Sequence, residues 1–120
     1  CNRVAVSDGH TECIALKFLN RDKVPTLAQV KKCLRDYDCE ATKLHCPSAP
    51  KHAIYVLEDP DRPQPRLDRN RDDGYAVSVG RVREDPIFDF KMVVLSHNTI
   101  IGAAGSGILI AEILAAKGVL

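Results

Sequence analysis

Arg3 and His10 stand at the two ends of a short segment that reads as strand, turn and strand, with Gly9 in the turn. A guanidinium grips an anion such as a carboxylate through a bidentate fork. An imidazole exchanges protons near neutral pH. These two residue types predict half of an active site, yet the chain offers no obvious nucleophile and begins without methionine. We therefore expect it to be part of a larger enzyme.

The cysteines do not form a recognisable reactive or metal-binding motif. There are five, an odd number with no Cys-x-x-Cys pair: Cys1, Cys13, Cys33, Cys39 and Cys46. Reduced thiols in a cytoplasmic protein are the simplest interpretation. Zinc could be offered ligands by Cys39, His45, Cys46 and His52, but their spacing fits no familiar zinc motif, so we predict no metal site. Strand alternation favours burial of Cys13 over a reactive role.

Composition excludes several classes of partner. The 120 residues suffice for one domain with a core, and 45% hydrophobic with 28% charged residues is ordinary for a folded soluble protein. A formal charge of +1 gives no field to attract nucleic acid or an anionic membrane. We expect neither partner.

Hydrophobic patterning predicts a sheet of about five strands with one helix packed on it, an α+β fold. The strands are expected at residues 3–6, 11–19, 53–57, 74–83 and 88–95. Leu27, Val30, Leu34 and Tyr37 form the apolar stripe of a helix. Residues 39–51 read as a loop. Residues 60–73 read as a long charged loop, either a solvated excursion or an interface arm or anion contact.

The last twenty residues predict an apolar helix that starts from a cap at Asn98 or Thr99. Glu112 and Lys117 alone interrupt its apolar surface, so we expect it to be covered on nearly all sides by a partner chain, an absent domain or the sheet. A membrane span is disfavoured by Glu112 and the small residues at 102–105. Those small residues favour close helix packing over a phosphate-binding glycine loop.

Four stretches together resemble the C-terminal part of the aspartate-β-semialdehyde dehydrogenases, in the branch shared by archaea and fungi. They are Asn-Arg-Val-Ala-Val-Ser-Asp-Gly-His-Thr (2–11), Arg-Pro-Gln-Pro-Arg-Leu-Asp-Arg (62–69), Val-Ser-Val-Gly-Arg-Val-Arg (77–83) and Leu-Ser-His-Asn-Thr-Ile-Ile-Gly-Ala-Ala-Gly (95–105). The resemblance implies a glyceraldehyde-3-phosphate dehydrogenase-like C-terminal domain, a mixed and largely antiparallel sheet with helices on one face. It also implies a substrate-binding and dimerisation domain at residues 1–97. Residues 98–120 would then return to an absent nucleotide-binding domain.

The resemblance also implies roles for individual residues. Arg3 would grip the substrate carboxylate, and His10 would act as acid and base toward a catalytic thiol. Asn98 and Gly102 would lie near the nicotinamide of NADP. No cysteine here matches the family's nucleophile segment, and the dinucleotide fingerprint is missing, so we expect this chain alone to be inactive.

The implied parent reaction converts β-aspartyl phosphate and NADPH to aspartate semialdehyde and phosphate, on the route to lysine, threonine, methionine and isoleucine. The strands at 74–83 and 88–95 are expected to carry a two-fold contact, giving a homodimer, with a tetramer as the alternative. A different hypothesis is a free-standing, non-catalytic oligomerisation module. In that case His10 would cap a turn and Arg3 would pair with an acidic residue such as Asp8.

Overall fold

The computed structural model describes residues 5–120, in which four strands form one mixed sheet. They are β1 (His10–Leu16), β2 (Ile54–Leu57), β3 (Val77–Glu84) and β4 (Phe90–Ser96). The order is β1-β4-β3-β2, with β4 antiparallel to both neighbours and β2 parallel to β3. This confirms the predicted α+β fold. Of the strand predicted at 3–6, residues 5 and 6 are not in a strand, and the rest lies outside the described residues.

Four α-helices accompany the sheet in the described residues: α1 (Leu27–Arg35), α2 (Glu40–Lys43), α3 (Pro65–Asp68) and α4 (Gly105–Ala116). Short 3-10 turns occupy Arg21–Lys23 and Arg71–Gly74, and a π-type turn occupies Ile100–Ala104. Two of these helices correct the sequence analysis, because α2 lies in the predicted loop at 39–51 and α3 in the charged loop at 60–73.

Helix α1 covers one face of the sheet. Thr26 and Gln29 form a reciprocal capping box that starts it. The core beneath it contains buried Val30, Val79, Val82, Phe90 and Met92. The helix ends at Arg35, short of Tyr37, whose ring is exposed. The apolar stripe was therefore predicted one turn too long.

Helix α4 docks on its own chain through one side. Leu109 is buried with Ala41 of α2 and Cys46. The polar residues that interrupt the helix anchor it there: Glu112 accepts hydrogen bonds from the backbone N and Oγ of Ser48 at 3.0 and 2.8 Å, and Lys117 pairs with Glu40.

The other side of α4 carries Ile108 and Ile110, which are 49% and 57% exposed. This chain therefore covers the helix on one side, and cover of its other side by a partner chain or a further domain stays a prediction. The predicted cap is wrong, because α4 begins at Gly105 after the π-type turn, without a side-chain cap. Within residues 5–120 no helix combines the length and apolarity needed to cross a membrane.

The charged segment 60–73 is folded around a buried carboxylate, that of Asp68. Nε of Arg62 donates to Oδ2 at 2.7 Å and Nη2 of the same guanidinium donates to Oδ1. Arg71 Nη2 and the Gln64 backbone N donate at 3.0 and 2.8 Å. Burial by itself raises the pKa of Asp68, but these hydrogen bonds outweigh it and hold that pKa below its usual range. The segment is therefore a fixed element, which overturns its reading as a solvated excursion.

This segment lies on the sheet face opposite α1. The backbone of Arg62 and Pro63 passes so close to β3 that a Cβ on Gly80 would clash with the Arg62 carbonyl oxygen. Strand alternation places Ser78 and its β4 partner Leu95 on the same face as Gly80, and both are buried. The charged segment thus covers the part of the sheet next to the start of β1.

We predict that Asp68→Asn lowers the free energy of unfolding by about 3 kcal/mol at pH 7, because Arg62 and Arg71 lose a buried charged partner. The depressed folded-state pKa of Asp68 contributes stability above its unfolded value near pH 4, and this contribution is lost as pH falls through the folded value. Urea unfolding should show that the difference in free energy of unfolding between variant and parent is smaller at pH 3 than at pH 7. Asp61→Asn is the matched control, since that exposed carboxylate accepts from the Gln64 side chain. An equal difference in free energy of unfolding at both pH values would contradict the stabilising role of the ionised Asp68 carboxylate.

Candidate active site

The turn that presents His10 requires a glycine. Gly9 has φ +114°, a left-handed conformation that side chains rarely adopt. A Cβ at this position would lie 3.0 Å from Cβ of Pro65 and 3.3 Å from Cδ1 of Leu95. The backbone can therefore bend sharply into β1 while pressed against the charged segment.

Asn98 holds the same turn from the other side. Its Oδ1 accepts a hydrogen bond of 2.7 Å from the backbone N–H of Gly9. The β1–β4 register places His10 opposite Ser96, so the start of β1 and the residues after β4 meet at one corner of the sheet. The structure thus brings together His10 and Asn98, two positions predicted separately. With Oδ1 engaged, the NH2 group of Asn98 is the part that can donate to a ligand.

Arg69 adds a third contact to this corner. Its Nη1 donates to the Asp8 carbonyl oxygen at 3.4 Å, a long bond, while its Nε is buried without a hydrogen-bond partner among the described residues. Because Arg69 directly follows Asp68, the hydrogen bonds of the buried Asp68 carboxylate also fix the backbone position from which the Arg69 side chain extends. The sequence analysis gave Arg69 no role.

Glu12 lies beside the imidazole. Its Oε1 is 3.0 Å from Nε2 of His10, and the two side chains are 41% and 45% exposed. Residues two apart in a strand share a face, which is the sequence signal that could have identified Glu12. The site therefore contains an accessible imidazole in contact with a carboxylate, an arrangement suited to proton transfer.

Gly102 is linked to this corner through His97 rather than through His10. Its N–H donates to the His97 carbonyl oxygen at 2.9 Å, and a Cβ on Gly102 would stand 3.2 Å from that oxygen. The His97 ring is buried, and its Nδ1 accepts from the backbone N of Thr99 at 3.3 Å. His97 organises the turn from which Asn98 projects, and sequence reasoning missed it.

The remaining predicted residues lie either outside the described part of the chain or on other parts of the fold. Arg3 lies outside the described residues. Cys13 is exposed, so its predicted burial is wrong, and strand alternation turns it to the face opposite His10. Cys46 is buried, which together with Glu112 raises the pKa of its thiol above the usual value. No group of three or more histidine, cysteine, aspartate or glutamate side chains within residues 5–120 is arranged to hold a metal ion.

Comparisons with known proteins agree on one family. Residues 1–101 match the family described as semialdehyde dehydrogenase, dimerisation domain. The aspartate-semialdehyde dehydrogenase of Saccharomyces cerevisiae is 73% identical over 120 residues, which is 100% of this chain and 33% of the relative. That of Archaeoglobus fulgidus is 44% identical over 115 residues, 95% of this chain and 31% of the relative.

Solved structures give the same result. The crystal structure of aspartate semialdehyde dehydrogenase with NADP from Candida albicans is 70% identical with a TM-score of 0.89, covering 100% of this chain and 33% of that one. Aspartate semialdehyde dehydrogenase II from Vibrio cholerae is 26% identical with a TM-score of 0.66, covering 90% and 27% of the two chains. The chain spans about a third of the length of the relatives it matches.

We predict that Asn98→Ala increases amide hydrogen exchange at Gly9 about tenfold, because the side-chain acceptor of its N–H is removed. Asn98→Asp retains an acceptor oxygen and should preserve the protection. NMR exchange on the two variants provides the comparison, with the amides of β3 as internal reference. Unchanged exchange at Gly9 in Asn98→Ala would show that this bond does not hold the turn.

Proposed function

Because the chain belongs to the semialdehyde dehydrogenase dimerisation-domain family, we propose that it forms the substrate-binding and dimerisation part of an aspartate-semialdehyde dehydrogenase. The observation that carries the proposal is the corner where Asn98 holds the turn that presents His10. The proposed reaction interconverts β-aspartyl phosphate and aspartate semialdehyde, with NADP as the coenzyme, in the biosynthesis of lysine, threonine, methionine and isoleucine. The thiols of Cys33, Cys39 and Cys46 are not in disulfides, which fits a cytoplasmic location.

His10 serves as the acid and base of this reaction. In the direction that starts from the aldehyde, a thiol from the rest of the enzyme adds to the carbonyl carbon and forms a hemithioacetal. The imidazole takes the thiol proton and returns one to the carbonyl oxygen as it becomes a hydroxyl. Its accessible position at the start of β1 suits this role. Arg3, which lies outside the described residues, is proposed to grip the substrate carboxylate on the family resemblance alone.

Asn98 and Gly102 suit the nicotinamide end of NADP. The NH2 group of Asn98, with Oδ1 engaged by Gly9, can donate to the carboxamide oxygen. Gly102 is exposed and has no side chain, so a flat ring can approach its backbone. The bound coenzyme supplies hydride chemistry, while these residues orient its ring relative to His10.

The uncovered part of the sheet supports dimerisation. On the face opposite α1, the charged segment leaves Cys13 and Ala15 exposed, with Val93 half-buried beside them. Such a face on a dimerisation domain is suited to a second copy of the chain. The proposed contact centres on β4 and the part of β3 that segment 60–73 leaves open, and a tetramer would need a further surface such as segment 60–73.

The free-standing module is the weaker hypothesis. It assigns His10 the role of capping its turn, but the Gly9 N–H is held by Asn98. Accessibility of the imidazole is better explained by acid–base chemistry than by a structural role.

We predict that this chain, exchanged for the matching segment of the Saccharomyces cerevisiae relative, gives an enzyme that oxidises aspartate semialdehyde with phosphate and NADP. His10→Ala in that chimera should lower kcat at least about a hundredfold, because general acid–base catalysis contributes that much. His45→Ala, far along the chain in the segment after α2, is the matched control. An inactive parent chimera would contradict the proposed function, and an unaffected His10→Ala rate would contradict the role of His10.

We predict that Val93→Glu weakens self-association of the chain, because it buries a charge in the proposed contact. Light scattering should report a dimer for the parent and a monomer for the variant at micromolar concentration. Ile110→Glu, on the open side of α4, is the control and should leave the mass unchanged. A monomeric parent would contradict the proposed dimerisation. A dimeric Val93→Glu chain would show that the contact lies elsewhere.

A further inference from the structure

Glu12 contacts the imidazole assigned to acid–base chemistry but has no assigned role. We propose that Glu12 is a positioning residue that orients His10 and fixes which ring nitrogen carries the proton. This inference rests on the proposed function, since it concerns how His10 performs that reaction.

The strand holds the two side chains in place. His10 and Glu12 are paired with Ser96 and Val94 of β4, so the sheet fixes both backbone positions. Alternation directs both side chains to one face, and Oε1 of Glu12 stands 3.0 Å from Nε2 of His10. Little additional ordering is needed for the contact, because the sheet has already fixed both attachment points.

The chemistry of the pair gives a direction. An ionised carboxylate can only accept hydrogen bonds, so Nε2 of His10 must be the donor. The proton of the neutral ring then belongs on Nε2, so Nδ1 is the nitrogen that can take up a further proton. When Nδ1 takes that proton, the ring becomes cationic and Glu12 lies against the new charge. A contact that holds the ring in one orientation and one tautomer therefore serves the proton transfer rather than binding alone.

Other charged groups of this corner occupy different positions. The facing residues of β4, Ser96 and Val94, carry no charge. Asp8 precedes the turn, and Arg69 donates to the Asp8 backbone carbonyl. Within residues 5–120, Glu12 is the carboxylate observed at hydrogen-bond distance from the imidazole, so its removal tests this contact.

The test uses the active chimera described above and four variants: Glu12→Ala, Glu12→Gln, His10→Ala and the double variant His10→Ala with Glu12→Ala. Glu12→Ala should lower kcat about tenfold, as expected for loss of a hydrogen bond to a charged group, with KM for aspartate semialdehyde within about twofold. Glu12→Gln keeps an acceptor oxygen of the same reach and should retain more activity than Glu12→Ala. The double variant should be no slower than His10→Ala, because Glu12 acts through the imidazole.

Two controls separate this role from a structural one. Glu84→Ala removes an exposed carboxylate at the far end of β3 and should leave kcat unchanged. Urea unfolding of each variant should give midpoints close to the parent, and if Glu12→Ala is unstable the near-isosteric Glu12→Gln carries the comparison. The inference is overturned if neither Glu12 variant lowers kcat, or if the double variant is slower than His10→Ala by the factor that Glu12→Ala shows alone. An inactive parent chimera would instead overturn the proposed function, and this inference with it.

Discussion

One buried charge constrains much of this structure. Removing a carboxylate from water costs several kcal/mol unless charged donors replace its hydration, and Asp68 is fully buried. Arg62 and Arg71 supply those donors from either side of it along the chain. Only a compact path of the backbone brings both guanidinium groups to one carboxylate. The segment 60–73 therefore has a defined conformation although it lacks the apolar pattern that usually specifies one.

That conformation determines the shape of the candidate site. Segment 60–73 holds Pro65 against Gly9, so position 9 in the turn before β1 requires a glycine, which adopts a left-handed conformation there. Asn98 approaches from the end of β4 and takes the N–H that this turn exposes. The imidazole of His10 is consequently presented by backbone held on both sides, while its ring stays accessible. A residue that transfers protons needs a fixed backbone position and a side chain that the substrate can reach.

The sequence predicted the elements that depend on local periodicity. It did not predict the elements and contacts that depend on polar groups far apart in the chain. Alternation located the four strands, and the apolar stripe located α1, whose end was misplaced because Tyr37 fits the spacing without being buried. Helix α3 was missed because Asp68 and its arginines look like a solvated charge run until they are folded together. His10 and Asn98 could be singled out by resemblance, but the bond between Gly9 and Asn98 joins residues 89 positions apart. No local pattern encodes such a contact.

The turn after β4 links the site to helix α4, one side of which this chain leaves uncovered. Gly102 donates to the His97 carbonyl, and Gly105 lies so close to the Ile100 carbonyl that a Cβ would have no room. These contacts fix Asn98 at one end of the turn and the start of α4 at the other. Helix α4 is anchored on one side by Glu112 and Lys117 and leaves Ile108 and Ile110 open on the other. An element that covered those isoleucines would therefore meet a helix already held in place, and Asn98 and His10 would need no further ordering when it docks.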